Sequence, residues 1–192
     1  MSPDPAWHEL SDRISTCSSC PELAASRRTV VVGEAPAGAR LLLVGEAPGA
    51  AEDASGRPFV GRSGQLLDRL LTDAGLDRRS VAVLNILKCR PPGNRRPAPA
   101  EIGRCTGWLA QQVALVAPAV MCVLGGTATA WALGRSARIG TARGRPHRVG
   151  GRLVVASYHP SAALRFGPAG APLAALRTDL AMVARLVAES ST

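Results

Sequence analysis

Two sets of residues in this chain have types and spacings that could support chemistry. The first is a set of thiols. Cys17 and Cys20 form a C-x-x-C pair, while Cys89 and Cys105 are separated by 15 intervening residues across a proline-rich stretch. C-x-x-C is a spacing used by paired metal ligands. Spacing alone leaves zinc, an iron–sulfur cluster and a non-metal role all open. Cys122, inside an apolar run, reads as a packed free thiol. The second set consists of single polar residues at the ends of apolar runs: Glu46 after LLLVG, Asn85 within VAVLNIL and His159 after LVVASY. An amide both donates and accepts. An imidazole can donate to an oxygen that gains negative charge as a bond breaks. Phe59, one of two phenylalanines, offers a flat apolar face. Each has an ordinary alternative: a turn cap for Asn85, a satisfied carbonyl for His159, a core position for Phe59.

The elements that must carry these residues alternate. A helix is expected over residues 5–16 from the spacing of Trp7, Leu10 and Ile14. Strands are expected over 41–44, 81–87, 118–124 and 153–157, where apolar residues run together. Thr29 to Val32 is a short β-branched run, and GEAPAG at 33–38 reads as a turn. Helices are expected from Ser63 to 74, stopped by Gly75, then from Pro99 to about Val116, over 127–133 and over 171–188. The stretch from Lys88 to Glu101 has four prolines in the nine residues from Pro91, too many for regular structure. Residues 134–151 read as basic loop plus a short hairpin. Alternation of this kind gives an α/β class: one domain over 1–192, with a central, mainly parallel four-stranded sheet flanked by helices. Residues 1–28 would supply a helix and the first cysteines, and 188–192 a disordered tail. Parallel strands bring Glu46, Asn85 and His159 to one sheet edge, where ligand crevices form.

Composition narrows the class of partner. The chain of 192 residues is 46% hydrophobic but 3% aromatic, so its core must be built from Leu, Val and Ala. The net charge is +9, and 22 of the 23 basic residues are arginine, the exception being Lys88. From Lys88 to Arg152 there are 11 basic residues and one acid, Glu101; before Lys88 there are 9 basic and 11 acidic residues. Charge concentrated in this way favours a polyanion, most simply nucleic acid, with a solvated basic face as the alternative. An amide such as Asn85 could then read the edge of a nucleobase, with Phe59 stacked on it. Residues 134–152 are expected to meet phosphates. No window suits a membrane span, and MSPDPAWHELSDR has no signal-peptide pattern, so a reducing cytoplasmic setting is expected. There, five cysteines suggest a metal site rather than disulfides.

The motifs GEAPGAAED-x-x-GRPFVG, N-x-x-KCRPPGNRRP-x-x-x-E and HPSA, with the early C-x-x-C, occur in order from Cys17 to about Arg165. Together they resemble the family 4 uracil-DNA glycosylases, iron–sulfur enzymes of the uracil-DNA glycosylase superfamily. The resemblance implies a [4Fe–4S] cluster on Cys17, Cys20, Cys89 and Cys105 that pins the amino-terminal segment to the proline-rich loop. It implies a uracil pocket at Gly45, Glu46 and Ala47, with Phe59 stacked on the ring, Asn85 reading its amide edge and His159 at O2 of the leaving anion. Ser161 to Arg165 would be the loop that enters the duplex, with Leu164 among its residues, and Ser63, Arg95 and Arg96 would contact DNA.

The implied activity is excision of uracil from DNA by a bacterial or archaeal, monomeric repair enzyme acting at the nucleoid. Ala47 stands where the best-known branch of the superfamily has an aspartate, and alanine cannot activate water. Leaving-group stabilisation should therefore carry more of the rate, with Glu46 or Asp53 as candidates to place the water. Lys88 is the only side-chain amine and neighbours an expected cluster ligand, so a monofunctional glycosylase is expected rather than one that also nicks the strand through a Schiff base. Two other readings compete. One relative crosslinks to the abasic sugar through a histidine on an inserted loop, with glutamine at the Ala47 position; here no histidine lies between His8 and His147. The other is a non-catalytic iron–sulfur nucleic-acid-binding protein on the same scaffold.

Overall fold

The structure, a computed structural model, describes residues 4–190. In chain order the elements are α1 (Pro5–Ser15), α2 (Pro21–Ser26), β1 (Leu41–Gly45), α3 (Ala50–Ser55), α4 (Arg62–Asp73), β2 (Ala82–Asn85), α5 (Pro99–Val116), β3 (Val120–Leu124), α6 (Gly126–Leu133), α7 (Ile139–Ala142), β4 (Pro146–Val149), β5 (Arg152–Ser157), α8 (Pro160–Phe166) and α9 (Ala171–Glu189). Short 3-10 turns occupy Arg78–Ser80 and Pro92–Asn94.

The sheet has strand order β2-β1-β3-β5-β4. β1 pairs in parallel with both β2 and β3, and β3 pairs in parallel with β5. The fifth strand corrects the expected four: β4 lies antiparallel to β5 and closes the sheet edge. Its sequence, PHRV, is mostly exposed and has no apolar run to announce it. Successive residues of β1 split between the two faces. Leu42 and Val44 pack with Trp7, Leu109 and Val113 on one side; Leu41 and Leu43 pack with Leu67, Leu71 and Leu180 on the other. Burial on both faces is why the parallel strands read as unbroken apolar runs instead of alternating ones.

The β-branched run before β1 forms no strand of its own. It shields the free edge of β2: Val31 N–H donates to the Lys88 carbonyl at 2.8 Å, and Glu34 makes an isolated antiparallel bridge to Val83. β2 ends at Asn85, earlier than the apolar run suggests, although Ile86 and Leu87 still donate to the carbonyls of Gly45 and Glu46 beyond it. Ser161 to Arg165 lies in helix α8, not in a loop. Residues 188 and 189, expected in a tail, belong to α9; residues 1–3 and 191–192 lie outside the described residues.

In the chain's path β1 has β2 on one side and β3 on the other, so the order reverses at β1. Open α/β sheets form their ligand crevice at such a switch point, outside the carboxyl ends of the strands.

Candidate active site

At that switch point lies a cavity of ≈ 370 Å³. Its walls come from the segment after β1 (Glu46 to Gly49), from Leu124 to Gly126 after β3, from Asn85 at the end of β2, and from Phe59, Pro91, Asn94, Arg95 and His159. Glu46, Ala47, Phe59, Asn85 and His159, separated in sequence, thus converge as expected. Gly45 works from behind the wall: a Cβ there would stand 2.3 Å from Asn85 Oδ1 and 2.7 Å from the Phe59 ring, so only glycine lets both residues close in.

Phe59 is buried and holds a left-handed backbone, φ 55°, which costs roughly 1–3 kcal/mol in a non-glycine residue. Two local features sustain it. Gly64 in α4 carries no side chain, and a Cβ there would come within 1.7 Å of the Phe59 carbonyl. The Glu52 carboxylate accepts from Val60 N–H at 2.9 Å and Gly61 N–H at 2.8 Å, and its other oxygen accepts from Gly49 N–H at 3.1 Å. One side chain thereby ties the start of the pocket loop to its end. Glu52 was not among the residues singled out from the sequence, although a glutamate three residues past a glycine helix start is a signal for this kind of cap.

Asn85 is buried, and its Oδ1 has no hydrogen-bond partner among the described residues. A buried amide oxygen left unpaired costs about 1–3 kcal/mol, and this one belongs to a residue of the cavity wall. His159 is the N-cap of α8, and Ser161 N–H donates to its Nδ1 at 3.2 Å. A backbone N–H can only donate, so Nδ1 bears the lone pair and Nε2 bears the hydrogen of a neutral ring. Burial pushes the His159 pKa below its ordinary value, against the opposing pull of the Glu46 and Glu52 carboxylates. The ring lies 5.6 Å from Phe59, centroid to centroid, with planes tilted by 33°. The site therefore presents a neutral N–H donor, a free amide acceptor and an aromatic face.

Glu46 is held by Thr127 Oγ1, which donates to its Oε2. Asp53 does not reach the cavity. It is 2% exposed, and its Oδ1 accepts from the backbone N–H of Arg28 at 2.9 Å and Thr29 at 3.4 Å. It stands away from the chemistry expected of it and secures the segment before β1. Ser63, Arg95 and Ser161 line the cavity, whereas Arg96 is exposed outside it. Arg95 is engaged by Glu101 at 2.6 Å and Glu22 at 3.2 Å, which fastens the proline-rich loop to α5 and α2. Ser161, Leu164 and Arg165 share an adjoining groove with Arg62 and Ser63, and Leu164 is 43% exposed. The basic stretch 134–152 divides. Its hairpin turn follows Val149, paired with Arg152 at the amino end of β5, so it sits at the sheet edge opposite His159. Arg143 is committed to an ion pair with Asp179.

The thiols form a second, separate cavity. Cys17, Cys20, Cys89 and Cys105 line it together with Ile14, Leu23, Leu87 and Trp108. Arg27, Lys88 and Arg104 line it too. Arg27 Nη1 lies 3.0 Å from Cys89 Sγ, and Lys88 is 2% exposed, with Nζ donating to the Asn85 carbonyl at 2.8 Å. Burial brings the Lys88 ammonium down to about 8 and pushes the Cys105 thiol up to about 11. Among the described residues, no three His, Cys, Asp or Glu side chains come together as ligands of one metal ion. Cys122 is fully buried in β3, as a packed thiol should be.

The sequence model of the Uracil DNA glycosylase superfamily matches residues 24–181. A Type-4 uracil-DNA glycosylase of Thermotoga maritima is 43% identical over 158 residues, covering 81% of this chain and 82% of that protein. Type-4 uracil-DNA glycosylases of Pyrobaculum aerophilum and Saccharolobus solfataricus are 39% and 37% identical, covering 82% and 81% of this chain and 83% and 76% of theirs.

Proposed function

The chain belongs to the uracil DNA glycosylase superfamily, and from that premise we propose that it is a DNA repair hydrolase that removes uracil from DNA and leaves an abasic site. The observation that carries the reading is the set of unpaired groups around one cavity: the orphaned acceptor of Asn85, the N–H of a neutral His159 and the face of Phe59. Uracil is a flat ring with an N3–H donor flanked by two carbonyl acceptors. Asn85 Oδ1 takes the N3–H, its amide nitrogen donates to O4, Phe59 covers the ring, and His159 Nε2–H donates to O2. Cytosine has an acceptor at N3 and a donor at C4, and in this orientation of Asn85 it mismatches both groups.

A paired base is out of reach, so the nucleotide is flipped from the stack at a cost of a few kcal/mol, which the exposed Leu164 on α8 offsets by filling the gap. The C1′–N1 bond then breaks, its electron pair moves onto the uracil ring, and charge gathers at O2. The His159 hydrogen bond strengthens as that charge grows, a contribution of about 3 kcal/mol for a donor of this kind. Water adds to C1′ of the cationic sugar and releases a proton. Glu46, held by Thr127 at the cavity wall, is the one carboxylate not already consumed by a backbone clamp there, and it orients that water. Lys88 points into the cysteine cavity and not into the pocket, which supports a monofunctional reaction. Ser63 and Arg165, beside the cavity, contact the strand that carries the uracil, while Arg95 holds the loop through its two carboxylates.

The cysteine cavity fits a [4Fe–4S] cluster held by Cys17, Cys20, Cys89 and Cys105. The donor set is four thiols around one cavity whose walls are mostly apolar, which suits the thiolate ligation of such a cluster. Bound there, such a cluster would supply a covalent cross-brace between the α1–α2 segment, the proline-rich loop and α5. Arg27 and Lys88 offset the negative charge of a four-thiolate site.

The reading is tested on an oligonucleotide with one uracil. The expected products are free uracil and an intact abasic strand that breaks only on alkali treatment, with no protein–DNA adduct after borohydride. An intact uracil strand after incubation with cluster-loaded protein would overturn it.

A further inference from the structure

Behind His159 lies a buried polar network that the reaction outlined above leaves unused. Asp179, in the middle of α9, is 0% exposed. Its Oδ2 accepts from Ser157 Oγ at 2.6 Å and from Arg143 Nε at 3.1 Å, and its Oδ1 accepts from Arg143 Nη2 at 2.9 Å. Ser157 is the last residue of β5, two before His159, and is itself fully buried. Its carbonyl accepts from Gly125 N–H at 2.8 Å, and Gly125 in turn backs onto His159, where a Cβ would stand 3.2 Å from the histidine Cβ. The Arg143 guanidinium also lies over the Tyr158 ring at 5.9 Å and donates to the Ala175 carbonyl at 3.3 Å. Ser157 and Tyr158, the residues that lead into His159, are thus each gripped by the same ion pair.

Burying a carboxylate completely, even against a guanidinium that stays 24% exposed, is a poor way to gain stability, because desolvation cancels much of the attraction. What such a pair provides is a fixed place for its partners. Here the partners are the residues that set where the imidazole stands. We propose that Asp179 is a positioning residue for His159, acting through Ser157 and Arg143, so that the Nε2–H sits where the leaving oxygen will develop charge. The inference rests on the glycosylase reading. It assigns work to α9, which supplies no residue to the cavity wall, and it removes Arg143 from the set of arginines available to DNA phosphates.

The test is a double-mutant cycle on the cluster-loaded enzyme, run well below its melting temperature on single-turnover uracil release. Ser157→Ala deletes one hydroxyl and leaves the Asp179–Arg143 pair in place; Asp179→Asn weakens both grips. Misplacing a catalytic group by an ångström costs on the order of 10²-fold. Asp179→Asn is therefore expected to lose about that in rate and Ser157→Ala about 10-fold, each with DNA affinity within about 2-fold of the parent. In a His159→Ala background both losses should vanish, since a device that acts through the imidazole has nothing left to act on. Losses that persist undiminished in that background, or rates equal to the parent accompanied only by a lower melting temperature, would overturn the inference and leave the network a structural one. Parent enzyme that releases no uracil would overturn this inference together with the reading beneath it.

Discussion

The two cavities sit at opposite ends of one short segment, Asn85 to Cys89, yet they are built on opposite principles. The pocket at Asn85 leaves hydrogen-bonding capacity unspent: an acceptor with no partner, a neutral imidazole and a strained phenylalanine held open by two glycines. The cavity at Cys89 leaves charge unspent, with three basic residues gathered beside four thiols and apolar side chains. A site meant for a neutral heterocycle needs the first kind of vacancy, and a site meant for an anionic inorganic body needs the second. The two are joined through Lys88, whose ammonium faces the thiols while it donates to the Asn85 backbone. Why the single lysine of an arginine-rich chain stands there has a steric answer. A compact ammonium fits between buried thiols and a strand end, whereas a planar guanidinium demands more room and more acceptors.

Damage on each side of this division should read out differently. The largest effect is expected from His159→Ala: a fall in the rate of uracil release of about 10²–10³-fold with iron content unchanged. Loss of iron in that variant would blur the two regions into one. The parent enzyme's pH profile sharpens the same point. His159 must be neutral to donate while Nδ1 accepts, and burial lowers its pKa, so activity should persist below 6.5 and fall only at more acid pH, through that depressed value. A rate that halves near or above 6.5 would contradict a buried neutral imidazole. Next in size, Asn85→Ala should reduce kcat/KM by about 10–100-fold, the worth of one or two hydrogen bonds to a buried base, and again leave iron in place. Cys89→Ser breaks the comparison from the other side. Iron and visible absorbance should drop first, with stability reduced, and excision should fall as a consequence, because Pro91 and Arg95 of the pocket wall are anchored through that loop. The smallest effect on chemistry is expected from Asp53→Asn: a change of about 2-fold or less in rate, with about 1 kcal/mol lost in unfolding free energy from weakened backbone contacts.

Asp53 also marks where reading the sequence reached its limit. Glu52 and Asp53 are adjacent carboxylates on α3, and a sequence cannot say which of two neighbours, a third of a turn apart on a helix, faces the cavity. The structure turns Glu52 inward to clamp the loop and Asp53 outward to the backbone of residues 28 and 29. The three inner parallel strands and the convergence of Glu46, Asn85 and His159 were legible because doubly buried strands leave continuous apolar runs and parallel strands share an edge. β4 was not, since an exposed edge strand of PHRV carries no such run. Nor was α8, whose seven residues depend on His159 for their cap. The Asp179 network was invisible for a plainer reason: a lone aspartate in an amphipathic helix looks like any surface charge until the partner 36 residues earlier is seen to meet it.

The most direct measurement is single-turnover release of free uracil from a uracil-containing oligonucleotide by the parent enzyme and by His159→Ala, matched for iron content. The account predicts release by the parent, an abasic strand left uncut, and a rate at least about 10²-fold lower for the variant. Equal rates for the two proteins, or no uracil from the iron-loaded parent, would contradict it.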